Sequence, residues 1–453
     1  MKKVSIVLAG GIGKRMHSKT SKVMHKICGR EMLFYATDAV KNVTERVILV
    51  VSPHINSEAL KGFEVVYQEA PLGTGDAVKK AMPLISSLPD DGTIVIVPGD
   101  NPLIREGDIS SLMDFHVKEG NGVTILAAVS ENPAGLGRIV RIGNEFVHIV
   151  EESEATEEEK KIKEISTGIY IFRKDLLIEG LSQIDNKNTQ GEYYLTDVLG
   201  IIAHKERVGI KILERKLPVY GVNNRVELSI ATANIQTEIV ERLMLEGVTF
   251  INPQTTSVDY FVKIGEDTTV YPFCILEGKT EIGMDCTLGP FVRITDSFVG
   301  KSTKIQYSFV RGSYIGEECS IGPFSSVRPE NVFEKKVKIG SFVEVKKSKV
   351  SENSKVPHLS YIGDAIVGKD VNVGAGTITC NFSGLEGEKK NPTFIEDGVF
   401  IGSNSTLVAP IILRKGAYIA AGSVVTEEVP QYSLAVGRAR QVNKIGWVKR
   451  RKD

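Results

Sequence analysis

Residues 264–294 read IGEDTTVYPFCILEGKTEIGMDCTLGPFVRI, and an aliphatic residue returns there at every sixth position. The spacing recurs in two later stretches, and the in-phase residues are Ile264, Val270, Leu276, Ile282, Leu288 and Ile294; Ile315, Ile321, Val327, Phe333, Ile339 and Val345; and Ile395, Ile401, Leu407, Leu413, Ile419 and Val425. In an extended chain, side chains six residues apart point the same way, whereas the helical period of 3.6 cannot sustain this spacing. The pattern predicts short strands separated by corners and stacked as a parallel β-helix with an aliphatic core.

The alternative for this region is an antiparallel sandwich of alternating strands. A sandwich would place its hairpin turns at variable spacing, so three runs in phase at six residues favour the β-helix. The pattern resembles the hexapeptide-repeat acyltransferases. That resemblance implies a left-handed helix and a homotrimer, neither of which the spacing itself indicates.

Composition limits the classes of partner. The 453 residues contain 56 basic and 56 acidic side chains, so no electrostatic argument favours nucleic acid or an anionic membrane. The odd number of cysteines, 5, without metal-ligand spacing suits free thiols in a reducing compartment. The apolar run at the N-terminus is too short for a signal peptide, and no window is long enough to span a bilayer. We therefore expect a cytoplasmic protein of two or more domains.

The N-terminal sequence predicts an anion site. Residues 4–8 (VSIVL) form a short aliphatic run typical of a buried strand, and AGGIGKRM follows at 9–16. Three glycines free backbone amides to approach a phosphate, and Lys14 and Arg15 bring positive charge. The motif is neither the dinucleotide fingerprint nor a GxxxxGK[ST] loop. A tight turn with two surface bases is the alternative.

Further strand-like segments at 47–51, 64–67, 93–97 and 123–129 alternate with helical stretches, which predicts a mainly parallel α/β sheet. Ligands of such sheets bind at the carboxyl ends of the strands. Gln68 with LGTG (72–75) and Asp100 in PGDNPL (98–103) follow two of these segments. Asp100 suits a hard cation such as magnesium, although it could instead cap the next helix.

The motifs LAGGIGKRM, Lys22, LGTG and GD-x-PL together resemble the nucleoside-diphosphate-sugar pyrophosphorylases. GLGRI (135–139), IVEE (149–152), STGIY (166–170), GEYYLTD (191–197) and GVNNR (221–225) narrow the resemblance. Over essentially the whole chain it is to the bacterial bifunctional N-acetyltransferase/uridylyltransferases that make UDP-N-acetylglucosamine, a cell-wall precursor. The resemblance implies a Rossmann-like nucleotidyltransferase domain followed by the β-helix, with acetyl-CoA, UTP and sugar phosphates as substrates.

The resemblance also implies residue roles in the first domain. The UTP and UDP-N-acetylglucosamine site would comprise Leu8, Ala9, Gly10, Gly11, Lys22, Gln68, Gly73, Thr74, Gly99, Asp100, Gly137, Glu151, Ser166, Thr167 and Asn223. Within it, Gln68, Gly73 and Thr74 would recognise uracil. Lys22 and Arg15 would act on the phosphates, and Asp100 and Asn223 would bind Mg²⁺. The chain departs from the family at Ser21, Pro98 and Ser166, which bears on the fine contacts to the sugar.

In the repeat region a polar stretch surrounds His358, and an imidazole that titrates near neutrality suits a general base. The other six histidines look like surface or loop residues. The resemblance makes His358 the base of acetyl transfer, with the sugar phosphate on Arg328, Lys346, Tyr361, Asn372 and Lys390. It places acetyl-CoA along Ala375, Asn381, Phe382, Ser403, Ala421 and Arg438. The loop at 384–393 is longer than the family's and carries Pro392 where a base is common.

We therefore predict a nucleotidyltransferase domain at 1–225, a linker helix at 226–246 and an acetyltransferase β-helix at 247–453. One alternative is a pyrophosphorylase whose β-helix only oligomerises, and His358 with its basic neighbours counts against it. Another is a non-catalytic assembly subunit. That class predicts erosion of the glycine loop, Lys22 or Asp100, and all three are intact.

Overall fold

The computed structural model describes residues 2–11, 13–214, 221–384 and 390–448. Its contacts divide the chain into two units, Met1–Ile235 and Gln236–Asp453. The separate linker at 226–246 stays a prediction. The helical pattern read there corresponds to one helix, Arg225–Leu245, whose buried residues recur at helical spacing and include Ala231, Ile235, Ile239 and Leu243.

The first unit alternates strands and helices. Its strands are β1 (Lys3–Ala9), β2 (Lys26–Ile27), β3 (Arg30–Glu31), β4 (Arg46–Val51), β5 (Glu64–Tyr67), β6 (Thr93–Pro98), β7 (Val123–Val129), β8 (Arg138–Ile142), β9 (Glu145–Val150), β10 (Glu164–Arg173) and β11 (Val208–Ile212). Its α-helices are α1 (Met32–Lys41), α2 (Thr74–Ala81), α3 (Glu106–Glu119), α4 (Lys174–Gln183) and α5 (Leu195–Ala203), with α6 (Arg225–Leu245) continuing into the second unit. Short 3-10 helices occur at Lys14–Met16, Lys22–Met24, Ser57–Leu60, Met82–Ile85 and Glu159–Lys161.

The main sheet of this unit has the order β11-β7-β10-β6-β1-β4-β5. β1 pairs in parallel with β4 and β6, β4 with β5, and β7 with β11, whereas β10 runs antiparallel to β6 and β7. A core of buried aliphatic side chains packs on each face of this sheet. The mixed, mainly parallel α/β sheet predicted from the sequence is confirmed. Because β1, β4, β5 and β6 run the same way, the loops that follow them meet at one edge.

The second unit consists of three parallel sheets. The first contains Thr249–Phe250, Thr269–Val270, Thr287–Leu288, Lys304–Ile305, Ser320–Ile321, Lys338–Ser341, Lys355–His358, Asn372–Val373, Phe400–Ile401, Tyr418–Ile419 and Leu434–Ala435. The second contains Ser257–Val258, Ile275–Glu277, Arg293–Thr295, Phe309–Arg311, Ser326–Val327, Glu344–Lys346, Tyr361–Gly363, Ile378–Cys380, Thr406–Val408 and Val424–Val425. The third contains Lys263–Ile264, Glu281–Ile282, Phe298–Val299, Tyr314–Ile315, Val332–Phe333, Lys349–Val350, Ala365–Val367, Thr393–Ile395 and Ile411–Leu413. A further 3-10 helix lies at Pro253–Thr255.

Each strand of these sheets pairs in parallel with the strand one coil later, for example Val327 with Val345. All the in-phase aliphatic and aromatic residues of the three runs are buried. The parallel β-helix is therefore confirmed, and the antiparallel sandwich is wrong. Cys274 and Cys286 lie inside the β-helix, where both thiols are buried and burial raises the pKa of each.

One corner of the β-helix carries a column of partly exposed aromatic rings. Phe273, Phe291, Tyr307, Phe324 and Phe342 follow one another at successive coils, with neighbouring ring centroids 4.8–5.5 Å apart. Their backbones have positive φ, which is how the chain turns the corner. The next coil places Leu359 at this position, through the hydrogen bond from its N–H to the carbonyl of Ser341.

One coil is much longer than its neighbours. Lys349 pairs with Ile366, 17 residues later, whereas Ile366 pairs with Phe394, 28 residues later. The register of the third sheet nevertheless continues, since Phe394 pairs with Ile412. The additional residues fall in the long loop expected at 384–393, of which 385–389 lie outside the described residues.

Candidate active sites

A cavity of about 430 Å³ opens where the loops after β1, β5 and β6 meet. Arg15 and all but one of the residues predicted to bind nucleotide or sugar line it: Leu8, Ala9, Gly10, Gly11, Lys22, Gln68, Gly73, Thr74, Asp100, Gly137, Glu151, Ser166, Thr167 and Asn223. The exception, Gly99, does not line the cavity. It lies just behind it, where its N–H donates to the carbonyl of Leu8 over 2.8 Å.

At one end of this cavity two basic side chains meet two oxygen donors. The Lys22 ammonium forms an ion pair with Asp100 Oδ2 and lies 3.2 Å from Asn223 Oδ1. The Arg15 guanidinium donates to the same Asn223 oxygen over 2.9 Å. Gly13 adopts a left-handed φ of 68°, and a Cβ there would lie 2.6 Å from the Cβ of Lys22. The glycine loop therefore packs directly against the lysine stem, and these groups together can bind a phosphate.

The donor set also fits a hard divalent cation. The Asp100 carboxylate and the Asn223 amide oxygen converge so closely that a single ammonium bonds to both. Carboxylate and amide oxygens are the ligands such cations prefer, and Mg²⁺ typically takes only one or two carboxylates and completes its shell with water and substrate phosphates. No cluster of three or more His, Cys, Asp or Glu residues that could hold a metal occurs in the described part of the chain. Any divalent ion here would therefore use few protein ligands.

A second part of the cavity offers polar groups in a narrow loop. Gln68 is buried, and its Nε2 donates to the Gly73 carbonyl over 3.0 Å and to Asp76 Oδ2 over 2.9 Å. A Cβ on Gly10 would come within 2.2 Å of Gln68 Oε1, so a larger residue there would have to displace this amide. Gly73 has φ 104° and abuts the Tyr193 carbonyl. This rigid arrangement suits the edge of a base.

The third part surrounds Glu151. Burial raises the pKa of this carboxyl, and Thr196 Oγ1 donates to it over 3.2 Å. Gly137 lies beside it, because a Cβ there would be 3.6 Å from Glu151 Oε2. The Thr167 hydroxyl donates to the Leu126 carbonyl, and Ser166 Oγ is 2.8 Å from the Tyr170 hydroxyl. A half-buried carboxylate edged by glycine can accept hydrogen bonds from sugar hydroxyls.

The cavity wall also includes residues that the sequence analysis did not assign, among them Tyr170, Glu192 and Thr196. All three lie in motifs that were recognised, STGIY and GEYYLTD, so these motifs were the sequence signal that could have identified them as cavity residues. Which member of a motif faces the cavity depends on the strand and loop geometry, which a single sequence does not display.

In the second unit a basic cluster lies on the second sheet. The in-register pairing of Val327 with Val345 sets Arg328, the residue just after its strand, beside Lys346. Arg328 is ion-paired with Glu344 over 2.9 Å. Lys390 lies against Lys346, and this neighbouring ammonium lowers the pKa of Lys346. Tyr361 is on the next strand and receives a hydrogen bond of 3.3 Å from Asn381 Nδ2. Four of the residues predicted for the sugar phosphate are therefore neighbours: Arg328, Lys346, Tyr361 and Lys390.

His358 is exposed at the corner after the first sheet, three residues before Tyr361. A column of small residues continues this corner. The carbonyl of Ala375 accepts from Asn404 N–H over 2.6 Å, and the carbonyl of Ser403 accepts from Gly422 N–H over 2.8 Å, so Ala375, Ser403 and Ala421 stand at successive coils. A Cβ on Gly422 would lie 3.7 Å from Cδ of Arg438. The result is a shallow track beside His358.

Two of the assigned residues lie apart from the others in their assigned group, and a third is exposed. Asn372 is on the first sheet, between Lys355 and Phe400, rather than on the second sheet with Tyr361. The Asn381 amide bonds to Asp364 and Tyr361 and so belongs with the basic cluster rather than with the small-residue track. The Phe382 side chain is exposed.

The expectation that the histidines other than His358 are surface or loop residues is wrong for His116. This residue is on α3 and buried, with its Nδ1 2.8 Å from Thr124 Oγ1. Burial lowers the pKa of His116 to about 4. No helix among the described residues is long and apolar enough to span a membrane.

Comparison with known proteins matches both units. The model of the MobA-like NTP transferase domain matches residues 5–166. The bacterial transferase hexapeptide model matches residues 261–296, and the hexapeptide repeat of succinyl-transferase matches residues 392–427.

Full-length relatives match as well, each named "Bifunctional protein GlmU". The relative from Fervidobacterium nodosum is 48% identical over 452 residues, which cover 99% of this chain and 97% of the relative. That from Thermoanaerobacter pseudethanolicus is 46% identical, with 99% and 98% covered. That from Thermotoga maritima is 44% identical, with 99% of both chains covered.

Proposed function

This chain belongs to the family of bifunctional GlmU proteins, and from that premise we propose how its residues carry out two reactions. The protein is a bifunctional enzyme of UDP-N-acetylglucosamine synthesis, with a nucleotidyltransferase domain and a hexapeptide acetyltransferase domain. It acetylates glucosamine-1-phosphate with acetyl-CoA and then transfers UMP from UTP to the product. The domain bounds 1–225 and 247–453, with a linker at 226–246, are part of the proposal.

In the uridylyl transfer, a phosphate oxygen of N-acetylglucosamine-1-phosphate attacks the α-phosphorus of UTP and pyrophosphate leaves. The reactants are both anionic, so catalysis requires positioning and charge neutralisation rather than a covalent intermediate. Lys22 and Arg15 neutralise the phosphates. Gln68, Gly73 and Thr74 hold the uracil, and Gly137, Glu151 and Thr167 hold the sugar. The convergence of Lys22, Asp100 and Asn223 inside one cavity is the observation that carries this assignment.

The family implies a divalent metal cofactor, and we propose that it is Mg²⁺ held by Asp100 and Asn223. Their hard oxygen atoms support this choice. When bound, Mg²⁺ would neutralise charge that develops on the phosphate oxygens.

In the acetyl transfer, the amino group of glucosamine-1-phosphate attacks the thioester carbonyl of acetyl-CoA, and the CoA thiolate leaves. His358 accepts the proton that the amine loses. Arg328 and Lys346 hold the sugar phosphate with help from Lys390, while Tyr361 and Asn372 contact the sugar. Acetyl-CoA lies along Ala375, Ser403 and Ala421, with Phe382 and Arg438 as further contacts and Asn381 reaching it from the side of the basic cluster. The small side chains of the track leave room for the pantetheine arm.

We further propose a cytoplasmic homotrimer. The column of partly exposed aromatic rings supports an assembly, because contiguous exposed apolar surface is usually covered by a partner. Its continuation through Leu359, next to His358, would bring a neighbouring subunit close to the acetyl site. Arg438 is the candidate for a residue that acts in a neighbouring subunit's site, whereas Lys390, the other candidate from the sequence, contacts Lys346 of its own chain.

The proposed function can be tested in one reaction. Purified full-length protein would be supplied with UTP, acetyl-CoA, glucosamine-1-phosphate and MgCl₂, and the products separated by anion-exchange chromatography. We expect UDP-N-acetylglucosamine, free CoA and pyrophosphate in equal amounts. Omission of acetyl-CoA should stop the formation of UDP-N-acetylglucosamine, and supplying N-acetylglucosamine-1-phosphate should restore it. Formation of CoA without any nucleotide sugar would refute the bifunctional assignment.

We predict a strong preference for UTP over ATP and GTP. A site built to hydrogen-bond one base leaves buried polar groups unpaired with another base, which can reduce kcat/KM by about 10⁴-fold. Here those groups are the buried Gln68 amide and the backbone of Gly73. Pyrophosphate release would be measured with each nucleotide at subsaturating concentration. Comparable kcat/KM with ATP would contradict the uracil assignment.

Complementation between subunits tests the assembly. His358→Ala and Arg438→Ala proteins should each have little acetyltransferase activity. If one subunit supplies His358 and another Arg438, co-expressed mixtures of the two variants contain some sites with neither substitution. We expect such mixtures to regain a quarter or so of wild-type activity, as random assembly of two adjacent chains would give. Mixtures no more active than the average of the separate variants would mean that both residues act within one chain.

A further inference from the structure

Both oxygens proposed to hold the metal are already bonded to cationic side chains. Lys22 forms an ion pair with Asp100 and a second hydrogen bond to Asn223 Oδ1, and Arg15 bonds to the same amide oxygen. These are also the two basic groups proposed to bind the phosphates of the nucleotide. The two basic side chains and the two oxygen donors can therefore bond to one another, or they can bind phosphate and metal, but they cannot do both at once.

The two oxygen donors are fixed in place. The backbone carbonyl of Asp100 accepts from Val222 N–H over 2.8 Å, and a Cβ on Gly221 would lie 2.6 Å from Asp100 Oδ1, so the loop closes tightly over this carboxylate. The Asn223 amide nitrogen donates to the Gly221 carbonyl, and its backbone N–H donates to Glu227 Oε2 over 2.7 Å. Asp100 and Asn223 can keep their positions whichever cation they face.

The cations, in contrast, sit on long side chains that line the cavity. Packing against Gly13 holds the first carbons of Lys22, while the rest of the stem carries the ammonium to Asp100. The Arg15 side chain is exposed. A lysine ammonium is a compact charge on a flexible stem, so rotation about its outer bonds can move it from a carboxylate to a nearby phosphate.

We propose that Lys22 is an internal competitor for the divalent cation. In the nucleotide-free protein its ammonium occupies the position between Asp100 and Asn223, with Arg15 on the same amide. The cation gains these oxygens only when the phosphates of a nucleoside triphosphate attract Lys22 and Arg15 away. Metal and nucleotide then bind cooperatively, and each raises the affinity for the other by the same factor. This inference rests on the proposed function of the cavity.

The strength of the competition follows from charge. An ammonium on a carboxylate neutralises it and repels a second cation at a distance of a few ångströms. The side chains of Lys22 and Asp100 are only 14% and 17% exposed, so water screens this repulsion less than at a surface pair. Removing the ammonium should therefore raise the affinity of the nucleotide-free protein for a divalent cation by about tenfold or more.

Mn²⁺ is a suitable probe, since it binds the same hard oxygen ligands and its free concentration can be read by electron paramagnetic resonance. Full-length protein would be titrated with Mn²⁺ in the absence of nucleotide. We expect wild-type protein to show no binding that depends on Asp100, so that wild type and Asp100→Ala give the same curve. Lys22→Ala should gain a site at least about tenfold tighter, and Lys22→Ala/Asp100→Ala should lose it.

Lys205→Ala is the matched control, because it removes another ion-paired lysine of the same unit, whose partner is Glu179. It should leave the Mn²⁺ curve unchanged. Lys22→Gln provides a second uncharged variant in case alanine disturbs the loop. The proposal is overturned if wild-type protein without nucleotide has a Mn²⁺ site that Asp100→Ala abolishes, or if neither Lys22 variant gains affinity.

A titration in the presence of UTP separates this inference from the proposed function. There, wild-type protein should retain Mn²⁺ on the protein–nucleotide complex more tightly than Asp100→Ala does. Equal retention by both proteins would show that Asp100 is not a metal ligand and would refute that part of the proposed function. If wild-type protein binds Mn²⁺ more tightly than Asp100→Ala both with UTP and without it, Asp100 is a metal ligand but Lys22 does not compete with the metal. That result would refute only the competition.

Discussion

Replacing His358 by alanine is expected to reduce acetyl transfer by about 10²–10⁴-fold, the usual contribution of a positioned general base. The amine of glucosamine-1-phosphate must lose a proton as it attacks the thioester, and His358 carries the one imidazole among the residues assigned to the acetyl site. Uridylyl transfer should stay within about twofold of wild type, because its residues lie in the other unit. The two rates would be measured separately, as thiol release from acetyl-CoA and as pyrophosphate release from UTP with N-acetylglucosamine-1-phosphate.

An exposed loop histidine offers the control for this substitution. His54→Ala removes an imidazole from the loop after β4 and should change neither rate. If His358→Ala retains near-normal thiol release, another group accepts the proton and the assigned base is wrong. If it abolishes both activities in a protein that is still folded, the two reactions share a site.

Replacing Asp100 by alanine should have the opposite effect on the two rates. Uridylyl transfer is expected to fall by about 10³-fold or more, since a metal that neutralises phosphate charge contributes several kcal/mol and each 1.36 kcal/mol is worth a factor of ten in rate. Without the carboxylate, two anionic reactants would meet with too little neutralising charge. Aminolysis of a thioester needs no metal, so acetyl transfer should be retained.

Asp114→Ala is the matched control, because it removes an exposed carboxylate on α3 in the same unit. It should leave both activities intact. Uridylyl transfer by Asp100→Ala that is restored by raising Mg²⁺ would still agree with a role in metal binding. Undiminished transfer at low Mg²⁺ would contradict it.

The architecture of the second unit was predictable because its signal is periodic. A buried residue at every sixth position can be recognised without knowing which distant residues are in contact, since each coil pairs only with its neighbours. The approximate position of the cavity was predictable too, because strands such as β1 and β6 are recognisable as short aliphatic runs and parallel strands gather their loops at one edge.

Other features depend on pairs that are remote in sequence and were not predictable. Nothing local to Lys22 or Asp100 indicates that they form an ion pair, since 78 residues separate them. His116 was expected at the surface, but α3 turns it towards Thr124 of β7. Likewise, Asn381 was assigned to acetyl-CoA, whereas the register of the second sheet brings its amide to Tyr361. In each case the decisive partner is set by tertiary packing.

The uneven coil between Ile366 and Phe394 has a consequence for how this enzyme can change over evolutionary time. Because each strand takes its register from the coil beneath it, extra residues placed at a corner leave the pairing on either side unaltered. Lengthening such a loop costs only a slowly growing closure entropy, about 0.6 kcal/mol for each doubling. Lys390, which comes from this loop and reaches Lys346, illustrates the result. New side chains can be added to the reaction site by insertion, while the scaffold that holds the older ones is inherited unchanged.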